Sequence, residues 1–496
     1  MLSSQRWRDV GIAAGAAGAL AAAFPKIGAA WLVPFATAAL FWLWQCSSWR
    51  RAVMLGWLAG MVFFAIDYAW VGHTIGRYIG AFGPVVPLGP ALIEAPYFAL
   101  AGGLAWAAYA RVRAQWAPLA AAAAFALCEW LRSIGIMGAP FDQLGYTQAD
   151  WPLKAIAAYA GTVGITFVLC VLGAYAADAI VRRTWRPLAV ACAAVAAATV
   201  LAWLGWPARR LPPPTIRVAA VQGDIAQSLK WNNLALAVYR YTTLTRRVAA
   251  QYHPRLIVWP ETVITTELNL DRPLEGRLLA LAHSAGSTIV AGSIYIQHDA
   301  AYNALYVLQP DGDESVYEKR QLVPFAEWFP GKAFLSWIPY IGALNGGITP
   351  GDSSIVYRTT ALPIGPLVCW ESAFADLAYA QVRAGAQLLV VSTDDAWFGT
   401  TSGPYMHAQI SQLRAIETGT YVIRAAATGI SGIVAPDGTW QRRAGMERMT
   451  VVTGAVGRPV PTVFATLGPA TIAGGFASLY AALLLLVPRV RKERSA

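Results

Sequence analysis

Pro363-Ile-Gly-Pro-Leu-Val-Cys-Trp-Glu-Ser-Ala-Phe-Ala-Asp376 is the stretch on which the fold turns. An apolar run ends at Cys369, a carboxylate follows two residues later at Glu371, and helix-like spacing then begins. A strand feeding a helix is the unit of an α/β sheet, and such sheets bind ligands outside the carboxyl ends of their strands. Cys369 is therefore a candidate nucleophile raised at a strand end. A buried structural thiol is the competing reading.

On either side of Cys369, residues 215–457 alternate two patterns. Short β-rich runs fall at 216–221, 255–258, 288–296, 304–308, 364–368, 387–392, 421–425 and 430–435. Helical spacing marks 232–252, 273–285, 373–384 and 405–418. The alternation predicts an α/β sheet, and Asp437-Gly438 predicts a hairpin turn. Residues 321–351 form a long structureless connection, a length common in functional loops.

The rest of the chain has another character. Of its 496 residues, 57% are hydrophobic and 13% charged, against about 25% charged in soluble domains. A bilayer crossing takes about 20 apolar residues. Runs at 10–25, 27–46, 52–74, 86–110, 117–132, 156–181, 187–206 and 461–488 predict about eight transmembrane helices. The first run lacks a convincing cleavage site and is expected to stay as a span. Leu211-Pro-Pro-Pro214 predicts a stiff linker leaving the membrane.

The net charge of +11 is a topology signal rather than a nucleic-acid face. Residues 207–460 hold 21 Lys/Arg against 19 Asp/Glu, and the remainder holds 17 against 8. With a cytoplasmic N-terminus, 13 basic residues fall in inside segments, from Arg6 and Arg8 to Lys492 and Arg494. Only Lys26, Arg77, Arg132 and Lys154 fall outside. The positive-inside rule then predicts a globular domain outside the cytoplasm with both termini inside. Arg209 and Arg210 run against the rule but head a long domain, where it is weak.

Among the cysteines, Cys46, Cys128, Cys170 and Cys192 lie in or at the ends of the predicted spans, and only Cys369 lies in the globular part. A thiol nucleophile needs a base. His253, His283, His298 and His407 have no motif-like setting and read as surface or satisfied histidines. Other strand ends supply polar partners: Leu256-Ile-Val-Trp-Pro-Glu-Thr262 ends at Glu261, and Ser315-Val-Tyr-Glu-Lys-Arg320 ends at Lys319. Taken singly, each also reads as an exposed strand-end charge.

Together these segments match a family. Trp259-Pro-Glu-Thr262, Tyr317-Glu-Lys-Arg-Gln-Leu-Val-Pro-Phe-Ala-Glu327 and Cys369-Trp-Glu371 resemble the Glu–Lys–Cys triad of the nitrilase, or carbon-nitrogen hydrolase, superfamily. With the spans, and with Val221-Gln-Gly-Asp-Ile225, Lys230-Trp231, Asp395-Ala-Trp-Phe-Gly399 and Arg414-Ala-Ile-Glu417, the chain is similar to the apolipoprotein N-acyltransferase family. The resemblance covers nearly the whole chain. It implies a helical membrane domain over 1–206, an α/β nitrilase-like αββα sandwich over 207–458, and a last span with a cytoplasmic tail over 459–496. It implies Glu261 as general base, a task a carboxylate can perform if burial raises its pKa, Lys319 as oxyanion stabiliser and Cys369 as nucleophile. Glu327 would support Lys319, Trp370 and Glu371 would shape the site, and Trp231 would lie near the acyl path, although tryptophans also anchor at membrane interfaces.

The resemblance further implies a monomer in a bacterial inner membrane, with the catalytic domain periplasmic and with no metal or cofactor. The acyl donor would be a membrane phospholipid and the acceptor a diacylated apolipoprotein. The aromatic residues of 321–351 (Phe325, Trp328, Phe329, Phe334, Trp337, Ile338 and Tyr340) predict a lid or acyl guide at the interface. The chain departs from the family pattern at Trp370, at Asp394 in place of an amide, at Phe141 in a loop that elsewhere carries Trp, and near Ala427-Thr428. A membrane-tethered nitrilase-type amidase is the alternative. A receptor or channel with an outer binding domain would leave Glu261, Lys319 and Cys369 as scattered structural residues. For a transporter, Asp67, Glu94 and Glu129 show no paired relay.

Overall fold

The computed structural model describes residues 2–206, 211, 213–329 and 347–488. The tail cations, Arg209, Arg210 and the loop residues Phe334, Trp337, Ile338 and Tyr340 lie outside the described residues, as does Pro212 of the linker.

The N-terminal part is helical: α1 (Leu2–Ala22), α2 (Val33–Gln45), α3 (Trp49–Asp67), α4 (Ala69–Ile79), α5 (Leu88–Arg111), α6 (Ala117–Leu131), α7 (Ala157–Arg182) and α8 (Arg186–Gly205). The run read as one span over 52–74 is broken, because α3 ends at Asp67 and α4 starts anew at Ala69. Among the described residues, five helical segments are long and apolar enough to cross a membrane: Trp49–Asp67, Gly80–Arg111, Pro152–Arg182, Arg186–Gly205 and Pro469–Leu486. Ala30–Gln45 and Ala117–Leu131 are apolar but shorter.

Of the ionisable residues read in these spans, Glu94 has a charged partner and Glu129 is hydrogen-bonded, while Asp67 Oδ2 is buried with no hydrogen-bond partner among the described residues. The Arg132 guanidinium donates to Asp142 at 2.6 Å and to Glu94 at 3.4 Å. Glu129 accepts from the Thr166 hydroxyl at 2.5 Å and the Leu144 amide at 2.8 Å. The sequence hid this because Arg132 and Asp142 are far in sequence from Glu94 and meet only when the helices pack.

The chain then forms β1 (Ile216–Gln222), α9 (Gln227–Lys230), α10 (Leu234–Tyr252), β2 (Leu256–Val258), β3 (Ile264–Glu267), α11 (Arg272–Ala285), β4 (Thr288–Gln297), β5 (Ala300–Leu308) and β6 (Glu314–Glu318). After residue 318 the next strands and helices described are β7 (Ile364–Val368), α12 (Ala375–Arg383), β8 (Leu388–Thr393), α13 (Gly403–Thr418), β9 (Tyr421–Ala426), β10 (Gly432–Val434), β11 (Trp440–Arg443) and β12 (Thr450–Val456). Two helices close the described chain, α14 (Val463–Leu467) and α15 (Pro469–Leu486).

One sheet has the order β12-β1-β2-β4-β5-β6, with β3 pairing β4, and the other runs β11-β10-β9-β8-β7. Pairs β1–β2, β2–β4, β7–β8 and β8–β9 are parallel. Val218, Leu256, Val290 and Leu305 of the first sheet pack against Ile364, Leu388, Val390 and Ile423 of the second. The outer face of the first sheet carries Tyr241, Val248, Leu274 and Leu278 from α10 and α11, and that of the second carries Ala378 and Ala415 from α12 and α13. This is the expected αββα sandwich: strands apolar on both faces need a sheet on one side and helices on the other. The predicted hairpin at Asp437-Gly438 joins antiparallel β10 and β11, with Gly438 at φ +74°.

Helix α13 is buried on nearly every side. Met406, Ile410, Leu413 and Ile416 join one core with the N-terminal helices, along with Trp370, Phe374 and Phe398. Glu417 accepts from the Thr162 amide at 2.7 Å and the Thr162 hydroxyl at 2.8 Å, beside the break in α7 at Gly161. The segment that follows Cys369 and the helical part therefore share a core.

Candidate functional site

Glu261 follows β2 by three residues, in a turn that packs against β4. A Cβ at Gly292 would lie 2.5 Å from the Pro260 carbonyl and 2.7 Å from Glu261 Cα, so only glycine admits this turn. The Glu261 carboxylate is buried. It accepts from Asn303 Nδ2 at 2.8 Å, Lys319 Nζ at 3.3 Å and the Asp394 amide at 2.9 Å. Lys319, one residue past β6, also donates to Glu327 at 2.9 Å. Asn303 bridges the two carboxylates, reaching Glu327 at 3.0 Å. Glu327 is itself fixed by the Val323 amide at 2.9 Å. An ammonium has three donors, and two of the Lys319 donors are spent on Glu261 and Glu327.

Cys369 ends β7 in a left-handed conformation, φ +51°. A non-glycine residue holds this state only where its surroundings over-determine it, at a cost of about 1–3 kcal/mol. Glu371 is one such constraint. Its fully buried carboxylate accepts from the amides of Val368 at 2.7 Å, Arg320 at 2.6 Å and Gln321 at 3.1 Å, and from the Tyr317 hydroxyl at 3.0 Å. One side chain thus ties the strand end carrying Cys369 to the strand end carrying Lys319. Trp370 turns the other way and stacks on Phe141, centroids 5.4 Å apart and planes 10° from parallel.

The charges set the protonation states. Burial pushes the Glu261 carboxyl up, but Lys319, Lys230, Asn303 and the Asp394 amide outweigh it and leave the group below its ordinary value. The condition set in the sequence reading, that burial raise it, is not met. Burial opposes charge on Lys319, yet Glu327, Glu261 and Cys369 hold the ammonium well above the usual range. Burial and Glu261 raise the Cys369 thiol well above the ordinary value, with Lys319 pulling against them. The resting site is thus a thiol beside a carboxylate–ammonium–carboxylate cluster.

Trp231 is 51% exposed, its ring 5.8 Å from the Lys230 ammonium. Lys230 is buried and donates to Asp394 at 2.5 Å and to the Glu261 carbonyl at 3.3 Å. The charge at Asp394 therefore has a buried partner. His407, read from sequence as one satisfied histidine among four, lies buried beneath the Cys369 carbonyl at 3.1 Å. Phe325, at φ +64°, begins the turn that delivers Glu327. Among the described residues, no three His, Cys, Asp or Glu side chains converge as a metal-binding group.

Sequence models of two families match the chain: Carbon-nitrogen hydrolase over residues 217–460 and the Apolipoprotein N-acyltransferase N-terminal domain over residues 16–175. The apolipoprotein N-acyltransferase of Shewanella oneidensis is 31% identical, aligned over 80% of this chain and 80% of its own. The chain belongs to the apolipoprotein N-acyltransferase family. The family's protein from Methylococcus capsulatus is 32% identical over 83% of each chain. A solved CN-hydrolase superfamily protein from Xanthomonas campestris is 19% identical, covers 54% of this chain and 96% of its own, and superposes with a TM-score of 0.38.

In this apolipoprotein N-acyltransferase family member, the two matched regions meet at the candidate site, where Phe141 of the first stacks on Trp370 of the second. The structure brings Glu261, Lys319, Glu327, Cys369, Trp370 and Glu371 into one region and leaves Trp231 half exposed over Lys230. Sequence reading missed Asn303 and gave no role to Lys230 or His407. Asn303 did carry a signal, since asparagine is depleted in strands and this one sits inside the run Ala301-Tyr-Asn-Ala-Leu305. His407 carried none, because a helix buried all round turns inward the face that periodicity assigns to solvent.

Proposed function

We propose that this chain is an N-acyltransferase of apolipoproteins that works by a ping-pong transfer through a thioester on Cys369. Sγ attacks the ester carbonyl of a membrane phospholipid while Glu261 takes the thiol proton. The third Lys319 donor stabilises the oxyanion, the kind of preorganised charge that counts most in a water-poor site. The tetrahedral adduct expels the lysophospholipid alkoxide, which recovers the proton from Glu261. The free α-amino group of a diacylglyceryl-cysteine then attacks the thioester and Glu261 accepts the amine proton; the C–S bond breaks, Glu261 returns that proton to the departing Cys369 sulfur, and the amide product leaves the resting thiol.

A raised thiol beside a depressed carboxyl makes the first transfer uphill at rest. Proton transfer is therefore coupled to attack on bound ester and does not precede it. The observation that carries this reading is the convergence of Glu261, Lys319 and Cys369 from three strand ends, next to a core continuous with apolar helices. Both substrates are lipid-anchored, so a site joined to membrane helices suits them.

The same reading divides the chain at 1–206, 207–458 and 459–496, with eight spans in a bacterial inner membrane. It places the catalytic domain on the periplasmic side, both termini in the cytoplasm and the protein as a monomer. Its test uses phospholipid with a labelled acyl chain and a diacylated lipopeptide. Label on the peptide α-amine supports transfer. Label released only as free fatty acid favours the amidase-type hydrolase.

A further inference from the structure

His407 on α13 has both ring nitrogens engaged. Nδ1 lies 3.0 Å from Asp395 Oδ1. Nε2 lies 2.8 Å from Ser372 Oγ and 3.1 Å from the Cys369 carbonyl oxygen, and Ser372 Oγ lies 2.9 Å from that same oxygen. Asp395 is held by the Thr393 hydroxyl at 2.9 Å and Arg424 Nη2 at 2.6 Å. Ser372, Asp395, His407 and Arg424 are all fully buried, and no catalytic step above uses them.

Proton counting assigns these bonds. Asp395 takes three donors, and Arg424 and His407 hold its carboxyl far below the ordinary range against the push of burial. It is an acceptor, so Nδ1 carries a proton. The single Ser372 hydroxyl proton serves either Nε2 or the Cys369 carbonyl, not both; with it on the carbonyl at 2.9 Å, Nε2 carries a proton of its own and donates toward that carbonyl and Ser372 Oγ. Burial and Arg424 pull the His407 ring below its ordinary value, against the Asp395 carboxylate and the Cys369 carbonyl, which favour its charged form. The charged groups facing the ring are Asp395, before α13, and Arg424 of β9; Phe141, Phe398, Ser372 and the Cys369 carbonyl complete its surroundings.

We propose that His407, oriented by Asp395, is a positioning residue for the nucleophile. Through Nε2 and Ser372, which both bond the Cys369 carbonyl, it locks the left-handed main chain at Cys369 and so aims Sγ at the carbonyl to be attacked. It exchanges no proton with Sγ, because Nδ1 is spent on Asp395 and Nε2 on the turn. The inference rests on Cys369 being the nucleophile of the proposed function.

The test compares His407→Phe, which keeps a ring without nitrogens, with His407→Gln, which puts an amide near the place of Nε2, and with Ser372→Ala and the Phe/Ala double variant. All are assayed as full chains in detergent with labelled phospholipid and diacylated lipopeptide. A small misplacement of a reacting group costs about 100-fold in rate, so His407→Phe lowers kcat by about that factor with KM for phospholipid unchanged. His407→Gln recovers most of the loss. Ser372→Ala lowers kcat in the same way, and the double variant is no slower than the worse single, because both act through one turn.

The proposal is overturned if His407→Phe and Ser372→Ala keep kcat within about threefold of wild type, if their losses multiply in the double, or if Gln is no better than Phe. Should His407→Phe fail to fold, Ser372→Ala decides alone. Cys369→Ala is the control: if it still forms acyl-peptide, the nucleophile assignment falls as well, whereas an inactive Cys369→Ala beside active His407→Phe and Ser372→Ala overturns this inference alone.

Discussion

Asn303→Leu removes one amide and leaves the volume of the side chain nearly unchanged. Asn303 Nδ2 donates to Glu261 at 2.8 Å and to Glu327 at 3.0 Å. A hydrogen bond to a charged group contributes about 1.5–3 kcal/mol, and about 1.4 kcal/mol is a factor of ten. Losing it disfavours the ionised form of Glu261, whose carboxyl Asn303 helps to hold low. The sign follows: a depressed carboxyl is active as a base, and contributes stability, at pH above its ordinary range, and both are lost as pH falls through the folded value. In the variant that loss begins at higher pH. The assay is kcat/KM for acyl transfer in detergent across the acidic range. Wild type is expected to stay flat over the upper part of that range while Asn303→Leu falls by about tenfold or more at its acidic end, with near-normal activity at neutral pH. Because Glu261 lies against the Lys319 ammonium, the limb belongs to the pair and not to Glu261 alone. An acid limb that stays in place or moves to lower pH refutes the reasoning.

Asp394→Asn, which restores the amide of the family pattern, shifts the same limb the other way. Removing this carboxylate leaves Lys230, 2.5 Å from Asp394 Oδ2, free to act on Glu261 unopposed; a limb at higher pH contradicts the assignment. Glu371→Gln turns an NH₂ toward backbone amides that now donate to a carboxylate. One or two orphaned buried donors cost about 2–4 kcal/mol, so thermal unfolding in detergent falls by roughly 4–16 °C, and a drop under about 2 °C would show that the carboxylate does not hold the two strand ends together.

The sandwich was legible because its strands are continuous apolar runs and its helices have polar faces. The strands read less clearly are those that do not follow that rule. Trp440–Arg443 and Thr450–Val456 are half exposed, and Ile264–Glu267 is short and only partly paired. Glu261, Lys319 and Cys369 could be singled out because Glu261 and Cys369 end apolar runs and Lys319 follows a strand-like one. Their support could not, since Asn303, Lys230 and Asp395 reach Glu261 or the Cys369 turn from elements far away in sequence. The sign of the Glu261 shift was hidden for the same reason: burial can be read from an apolar neighbourhood, while the donors that outweigh it appear only in three dimensions. In the helical part, Arg132 read as an outside loop cation but is 1% exposed and pinned to Asp142 and Glu94.

The central claim is that Cys369 carries the acyl group between donor and acceptor. Purified protein is incubated with phospholipid labelled in its acyl chain, quenched in acid, digested and examined by mass spectrometry, before and after adding a diacylated lipopeptide. The expected result is an acyl thioester on the peptide containing Cys369, sensitive to hydroxylamine, present in the absence of acceptor and discharged onto the peptide α-amine when acceptor is added. Acyl transfer at the normal rate with no adduct at Cys369, or transfer retained in Cys369→Ala, would contradict the account.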